Sequence, residues 1–167
     1  MKDMKNSQNM KRAMFAAMTA LVMFSSCEKH EEIFFNSPFV SIADENGGTK
    51  TTVSKDGNNL ITVVYVTLSA SAEVFSSPIE IEYEMLVGDG LKEGVDFKVQ
   101  ATTKSPITFT PGIYTMPIRI QWFKNADFDP DKDNSLTITL SGSNLEGMLL
   151  GYPGPDSRKK SYIFTKK

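Results

Sequence analysis

The sequence has few of the residues on which many enzyme and metal sites depend: its 167 residues include one cysteine and one histidine. A single cysteine excludes a disulfide within the chain. The histidine, His30, lies close to Cys27 in a charged segment expected to be a mobile tether, so neither a Ser-His-Asp nor a Cys-His arrangement is expected. Zinc sites normally draw on several histidine or cysteine ligands, and the chain has no phosphate-binding loop. The sequence therefore predicts a protein that is not an enzyme.

A hydrophobic run long enough to span a membrane is also missing. The apolar segment AMFAAMTALVMF, residues 13–24, is shorter than the roughly 20 residues that a transmembrane helix needs. It follows a basic leader formed by Lys2, Lys5, Lys11 and Arg12. A basic leader before a short apolar core is the layout of a secretory signal peptide. We therefore expect export and removal of residues 1–26.

The single cysteine directly follows two small residues at the end of this segment. Ser25, Ser26 and Cys27 resemble a bacterial lipobox, in which the signal is cut before the cysteine and the cysteine is lipidated. The resemblance implies a membrane anchor at Cys27, which would hold firmly because each buried methylene of an acyl chain contributes about 0.8 kcal/mol. The alternative is an ordinary signal peptide followed by an unmodified cysteine.

Acidic residues follow the cysteine closely, at Glu28, Glu31 and Glu32. They resemble the acidic export tag of Bacteroidetes lipoproteins displayed on the outer face of the outer membrane, which implies a cell-surface location. The alternative is a solvated tether, because any linker can carry charge. The expected organisation is a signal peptide at residues 1–26, an acidic tether at 27–37 and one folded domain at 38–167.

The net charge of the processed chain argues against nucleic acid and anionic surfaces as partners. Of the 18 basic and 20 acidic residues, the signal peptide contains four and one, which leaves 14 and 19 and a net charge of −5. Such a balance disfavours binding to nucleic acid or to an anionic surface as a whole.

Polar and apolar residues alternate along most of the remaining chain. In PIEIEYEML, Glu80, Glu82 and Glu84 alternate with apolar residues, which predicts a half-buried strand with a solvated acidic face rather than a catalytic carboxylate pair. The run LITVVYVTL, residues 60–68, is apolar on both faces near its centre and predicts a more central strand. Further strands are predicted at 39–42, 51–53, 107–109, 115–123, 135–141 and 161–165.

No convincing amphipathic helix follows the signal peptide. Short strands separated by Gly, Pro, Asn and Asp turn signals are typical of a sandwich. We therefore expect an all-β, immunoglobulin-like antiparallel β-sandwich of about seven strands.

Residues 94–142 resemble a Calx-beta domain. The shared elements are the entry motif GVDF, a strand ending in phenylalanine before a Pro-Gly turn, an isoleucine-rich strand, an acidic loop and the final strand LTITL. SIADENGGT, residues 41–49, fits the glycine-bearing loop near the start of that family. The resemblance covers most of residues 38–165 and implies a Calx-beta-like sandwich.

The same resemblance implies a calcium hypothesis, because calcium-binding members collect carboxylates from loops at one end of the sandwich. The matching positions are Asp44, Glu45, Asp96, Asp127 and Asp129. Calcium takes six to eight oxygen ligands at about 2.3–2.6 Å. The loop at 125–134 is not an EF-hand, since no glutamate stands at the required position, and Phe128 and Pro130 interrupt the acidic run of the family. The favoured alternative is a solvated acidic hairpin loop.

Three aromatic residues are candidates for stacking on sugar rings: Tyr114, Trp122 and Tyr152. Trp122 shares its parity with the buried positions of its strand, so we expect it in the core. Tyr114, beside a Pro-Gly turn, and Tyr152, in GYPGP, lie in loops where exposure is expected. The alternative for both tyrosines is that they cap the ends of the sandwich.

The C-terminal segment GYPGPDSRKKSYIFTKK is similar to the tails of small Bacteroidetes lipoproteins of unknown function found near polysaccharide-utilisation proteins. We therefore expect a non-enzymatic surface module for binding or adhesion, accessory to polysaccharide capture or uptake. The alternative is a structural or protein-interaction domain of an outer-membrane assembly, with or without calcium, whose edge strands pair with a partner protein.

Overall fold

The computed structural model describes residues 37–71 and 73–167. These residues form ten strands and one short 3-10 turn, Ala101–Thr103. The strands are β1 (Phe39–Ala43), β2 (Lys50–Val53), β3 (Leu60–Ser69), β4 (Ile79–Val87), β5 (Phe97–Val99), β6 (Ile107–Phe109), β7 (Thr115–Trp122), β8 (Ser135–Ser143), β9 (Leu149–Leu150) and β10 (Ser161–Lys166). Within the described ranges there is no helix of the length and apolar character that crossing a membrane requires. The all-β prediction is confirmed.

The strands are divided between two five-stranded sheets. The first sheet has the order β5-β7-β3-β1-β9 and the second has the order β2-β10-β8-β4-β6. β3 lies at the centre of its sheet, as predicted from its apolar residues on both faces. Each run of residues predicted as a strand is a strand in the structure, with ends that differ by at most two residues.

The strand number and the pairing differ in detail from the expectation of about seven antiparallel strands. β5 and β9, which have three and two residues, were not predicted. β1 pairs with β9, and β10 with β2, in parallel. β8, which precedes β9 in the chain, belongs to the other sheet. A tight hairpin makes its two strands antiparallel, but a connection between sheets does not, so β9 can run parallel to β1.

The core lies between the sheets and is filled by alternate residues of each strand. Trp122 is fully buried, and its Nε1 donates a hydrogen bond to Thr62 Oγ1 at 2.8 Å. The centre of its ring lies 5.7 Å from that of Phe97 and 5.6 Å from that of Phe164, so it joins one strand of each sheet. The prediction that Trp122 is a core residue is confirmed.

The acidic residues of β4 point away from this core. Glu80, Glu82 and Glu84 are exposed, whereas Ile79, Ile81 and Tyr83 between them are buried. The predicted solvated acidic face is confirmed, and the alternation gives no enclosed pair of carboxylates on this strand.

Candidate functional site

The predicted lipidation site, Cys27, lies outside the described residues, together with the signal peptide and the acidic residues that follow it. The anchor and the surface location therefore stay predictions. The described domain begins at Ser37, the last residue of the predicted tether.

Asp44, a predicted calcium ligand, braces the loop between β1 and β2. Its Oδ1 accepts hydrogen bonds from the backbone N–H groups of Asn46 and Gly48, at 2.9 Å and 2.8 Å. Its Oδ2 accepts one from the hydroxyl of Tyr162 at 3.2 Å. Burial, and secondly the charge of Asp44, raise the pKa of Tyr162 to about 12. The neighbouring Glu45 is exposed.

Asp96 lies in a different environment, at the start of β5. It is buried against the equally buried Lys166, with 2.8 Å between Asp96 Oδ1 and Lys166 Nζ. The same Oδ1 accepts a hydrogen bond from Asn125 Nδ2 at 3.0 Å, while Oδ2 accepts one from the backbone N–H of Lys92 at 3.0 Å. Burial alone would raise the pKa of Asp96, but the hydrogen bonds from Lys166, Asn125 and Lys92 outweigh it and hold that pKa below its ordinary value.

The loop that carries Asp127 and Asp129 is held by local turns. Asn125 Oδ1 accepts a hydrogen bond from the backbone N–H of Asp127 at 2.9 Å, and Asp129 Oδ1 accepts one from that of Asp131 at 3.0 Å. Bonds from a side-chain oxygen to the backbone two residues on are typical of Asx turns.

The structure brings only part of the predicted calcium set together. Asp96 and the loop after β7 meet through Asn125, at the end of the molecule where Lys166 lies. Asp44 contacts Tyr162 instead, four residues and therefore about 13 Å earlier along β10. Among residues 37–71 and 73–167 no three histidine, cysteine or acidic side chains are grouped so that they could hold a metal ion. Calcium binding stays a prediction.

Tyr152 lies in the loop between β9 and β10, whose backbone is tightly closed. The N–H of Gly151 donates to the carbonyl of Val40 at 2.7 Å, and the N–H of Tyr152 donates to the carbonyl of Arg158 at 2.6 Å. Gly151 has a φ of +93°, and a Cβ there would stand 2.4 Å from the carbonyl oxygen of Ser157. The close approach of the two chain segments thus requires glycine at this position.

The far side of this loop has two residues in the left-handed region that glycine usually occupies. Ser157 has a φ of 41° and Lys159 a φ of 58°. Non-glycine residues in this region carry strain, which persists only when the surroundings impose it. The carbonyl of Lys159 accepts a hydrogen bond from Ile42 in the first sheet at 2.8 Å, and that of Lys160 accepts one from Leu140 in the second sheet at 3.0 Å. Both sheets therefore hold the end of the loop.

The loop forms an open cleft of about 690 Å³, which we call the Tyr152 cleft. It is lined by one aromatic side chain, three cationic ones, one carboxylate and three hydroxyls: Tyr152, Arg158, Lys159, Lys160, Asp156, Thr49, Ser157 and Ser161. Lys159 Nζ lies 4.9 Å from the centre of the Tyr152 ring, within the range of a cation–π contact. The Phe39 ring packs against Tyr152 with 5.4 Å between ring centres. Tyr152 nevertheless remains 41% exposed.

Tyr114, the other predicted ligand-binding aromatic, does not line this cleft. It is 37% exposed and packs edge-to-face on Phe75, with 5.1 Å between ring centres. The two tyrosines therefore have similar exposure in different surroundings.

The sheet edges, on which a partner protein could add a strand, are short. β5, β9, β2 and β6 are the outer strands of the two sheets, and each has four residues or fewer. Short edge strands offer few free backbone groups and are one way in which proteins prevent edge-to-edge pairing. The edges therefore offer the strand of a partner protein few groups with which to pair.

Sequence reasoning missed the cationic residues of the cleft and the buried Lys166. Arg158, Lys159 and Lys160 are consecutive in a loop beside Tyr152, which was a usable signal for an anionic ligand. Lys166 shares its parity with the buried Tyr162 and Phe164, which indicates a lysine that needs a buried partner.

Comparisons with known proteins add little. No protein-family model matches the chain, and no curated protein matches it. Among solved structures, a crystal structure of Bacteroides thetaiotamicron EndoBT-3987 with Man5GlcNAc product is 8% identical, with a TM-score of 0.48. The match covers 75% of this chain and 30% of that chain. Likeness at this level implies nothing about function.

Proposed function

We propose that this protein is a non-enzymatic surface lipoprotein, anchored to the outer membrane through Cys27, whose Calx-beta-like sandwich binds acidic polysaccharide in the Tyr152 cleft. The lipobox and acidic-tag resemblances support the anchor and the location. The cleft supports the binding role, as an accessory to polysaccharide capture.

The observation that carries the proposal is the charge of the cleft. Its lining has three cations, Arg158, Lys159 and Lys160, against the single carboxylate of Asp156, on a processed chain whose net charge is −5. Arg158 Nη2 lies 3.7 Å from Asp156 Oδ2, and both side chains are largely exposed, so this pair is weak and leaves Arg158 free to exchange partners. A local positive surface on an acidic domain attracts an anionic ligand.

The aromatic ring favours a sugar as the carrier of that negative charge. Tyr152 is held by Phe39 and by Lys159 but remains 41% exposed. A rigid, part-exposed tyrosine beside cationic and hydroxyl groups can contact an apolar sugar face and hydrogen-bond its substituents. The ligand class is therefore a polysaccharide bearing carboxylate or sulfate groups.

Affinity electrophoresis in gels that contain either an acidic or a neutral polysaccharide tests this proposal. We expect retardation in uronate-containing or sulfated gels, reduced by Arg158→Gln and by Tyr152→Ala. Tyr114→Ala is the matched control, since it removes an aromatic of similar exposure outside the cleft, and it should leave the retardation unchanged. Mobility that is the same in acidic, neutral and polysaccharide-free gels would refute the proposed function.

A further inference from the structure

The half-buried side chain of Asn125 joins the buried ion pair of Lys166 and Asp96 in one hydrogen-bonded group. A primary amine and a side-chain amide both donate to one carboxylate oxygen, Asp96 Oδ1, at 2.8 Å and 3.0 Å. We propose that Lys166 and Asn125 form a covalent amide cross-link through their side chains, with Asp96 as the proton carrier. The cross-link would join the C-terminal strand β10 to the loop after β7.

The hydrogen bonds limit how far apart the reacting groups are. Because both nitrogens contact the same oxygen, Lys166 Nζ and Asn125 Nδ2 are separated by no more than the sum of the two distances, 5.8 Å. Lys166 Nζ also donates to the carbonyl of Phe123 at 2.8 Å, two residues before Asn125. The attacking amine and the side chain that it would attack are therefore held against the same carboxylate oxygen. Such held proximity replaces an encounter between free reactants.

The amine and the carboxylate that accepts its hydrogen bond lie together in apolar surroundings. The Lys166 side chain is 0% exposed and that of Asp96 is 2% exposed. The ring of Phe128 lies 5.7 Å from Lys166 Nζ, and Phe97, Trp122 and Phe164 are fully buried core residues near the same end of the strands. Burial disfavours charge on both partners. A proton passing from Lys166 to Asp96 discharges both of them without moving net charge into the interior.

The reaction balances with these three residues alone. The Asp96 carboxylate takes one proton from the Lys166 ammonium, and the neutral Nζ attacks the side-chain carbonyl carbon of Asn125. A bond forms between Nζ and this carbon, the bond from the carbon to Nδ2 breaks, and Nδ2 leaves as ammonia after receiving a proton through Asp96. No oxidant, metal or other reactant is needed, and the product is a secondary amide plus one ammonia.

The cross-link would lie where the end of the chain is already held by hydrogen bonds. The backbone N–H of Lys166 donates to the carbonyl of Asn134, and that of Lys167 donates to Val53, so hydrogen bonds already hold the last residues to the second sheet. Asn125 follows β7 of the first sheet. The amide would therefore join the two sheets covalently at the C-terminal end of β10.

Tryptic peptide mapping of the purified full chain tests the cross-link directly. Trypsin cuts after Lys124, Lys132 and Lys160 but not after an acylated Lys166. We expect peptide 125–132 to be joined to peptide 161–167, with a mass equal to their sum less one ammonia. Lys166→Arg keeps the positive charge but removes the amine nucleophile, and it should abolish the joined peptide. Lys132→Arg, in the same loop, is the matched control and should retain the link between 125–132 and 161–167.

The map of the wild-type chain decides the question even if a variant fails to fold. A linear peptide that ends at Lys166, together with a free peptide 125–132, would overturn the proposal. If peptide 161–167 is instead joined to the peptide that contains Asp96, with loss of one water, the assignment to Asn125 is overturned.

Discussion

Replacing Gly151 with alanine tests whether the Tyr152 cleft depends on the tight closure of its loop. Gly151 has a φ of +93°, and its added Cβ would meet the carbonyl oxygens of Ser157 and Arg158 at 2.4 Å and 2.9 Å. Gly112 is a matched control, because it has a φ of +91° and nothing lies within 4 Å of its added Cβ. The backbone strain, about 1–2 kcal/mol for a left-handed residue, is common to both substitutions and cancels in their comparison.

The difference between the two variants measures the clash. To relieve it, the 151–160 loop must move away from Gly151 and lose the hydrogen bond from the Tyr152 N–H to Arg158, which contributes about 0.5–1.5 kcal/mol. We expect Gly151→Ala to lower the free energy of unfolding by about 1 kcal/mol more than Gly112→Ala. Urea denaturation followed by the fluorescence of Trp122, the one tryptophan of the chain and a buried one, measures both values.

The same pair of variants also separates stability from binding. Far below the denaturation midpoint both proteins are folded, so only a displaced loop changes the ligand affinity. Gly151→Ala should weaken retardation by acidic polysaccharide, and Gly112→Ala should leave it unchanged. Equal destabilisation of the two variants with unchanged retardation of both would refute the reasoning about the loop.

Two further expectations concern pH and calcium. Burial raises the pKa of both Tyr83 and Tyr162 to about 12, from an ordinary value of 10.0. Their contribution to stability is therefore full below about pH 10 and is lost as the pH rises towards 12, by up to about 2–3 kcal/mol for each tyrosine. Tyr162→Phe should make the alkaline decline shallower in denaturation curves, and a decline as steep as that of the wild type would contradict the assignment. Calcium is expected to leave the melting temperature unchanged, because N–H and O–H donors already occupy the carboxylates of Asp44 and Asp96. A melting temperature that rises on calcium addition and falls again with a chelator would support the predicted calcium site instead.

The long strands could be read from the sequence because burial of one sheet face imposes a period of two. The pattern also carried information on position in the sheet: the run at residues 60–68 is apolar on both faces, which predicted the central strand that β3 is. β9 could not be found in this way, because two residues cannot show a period. β5 was missed although it alternates like the equally short β6, which was predicted. The parallel pairings depend on which sheet the chain enters, a property of the whole fold.

The candidate site was less predictable for a related reason. Tyr152 was identified from its loop, but the contact of Lys159 with its ring exists only in the closed turn. The predicted last strand ended at Thr165, one residue before Lys166. Its partner Asp96 lies 70 residues away in sequence, and no local pattern indicates a pairing over that separation.

Together, the two proposals describe a domain built to hold a ligand under load. In the proposed function, a pull on bound polysaccharide would act at the Tyr152 cleft, and the predicted lipid tether would act at Ser37, next to β1. The path between them is short, because Val40 of β1 accepts a hydrogen bond from Gly151 and Phe39 packs on Tyr152. The other route out of the cleft runs along β10, which lies between β2 and β8 and whose far end carries Lys166. A covalent link at that residue would keep β10 from being stripped out of its sheet, so mechanical unfolding of wild-type protein pulled from the cleft should extend less chain than unfolding of the Lys166→Arg variant.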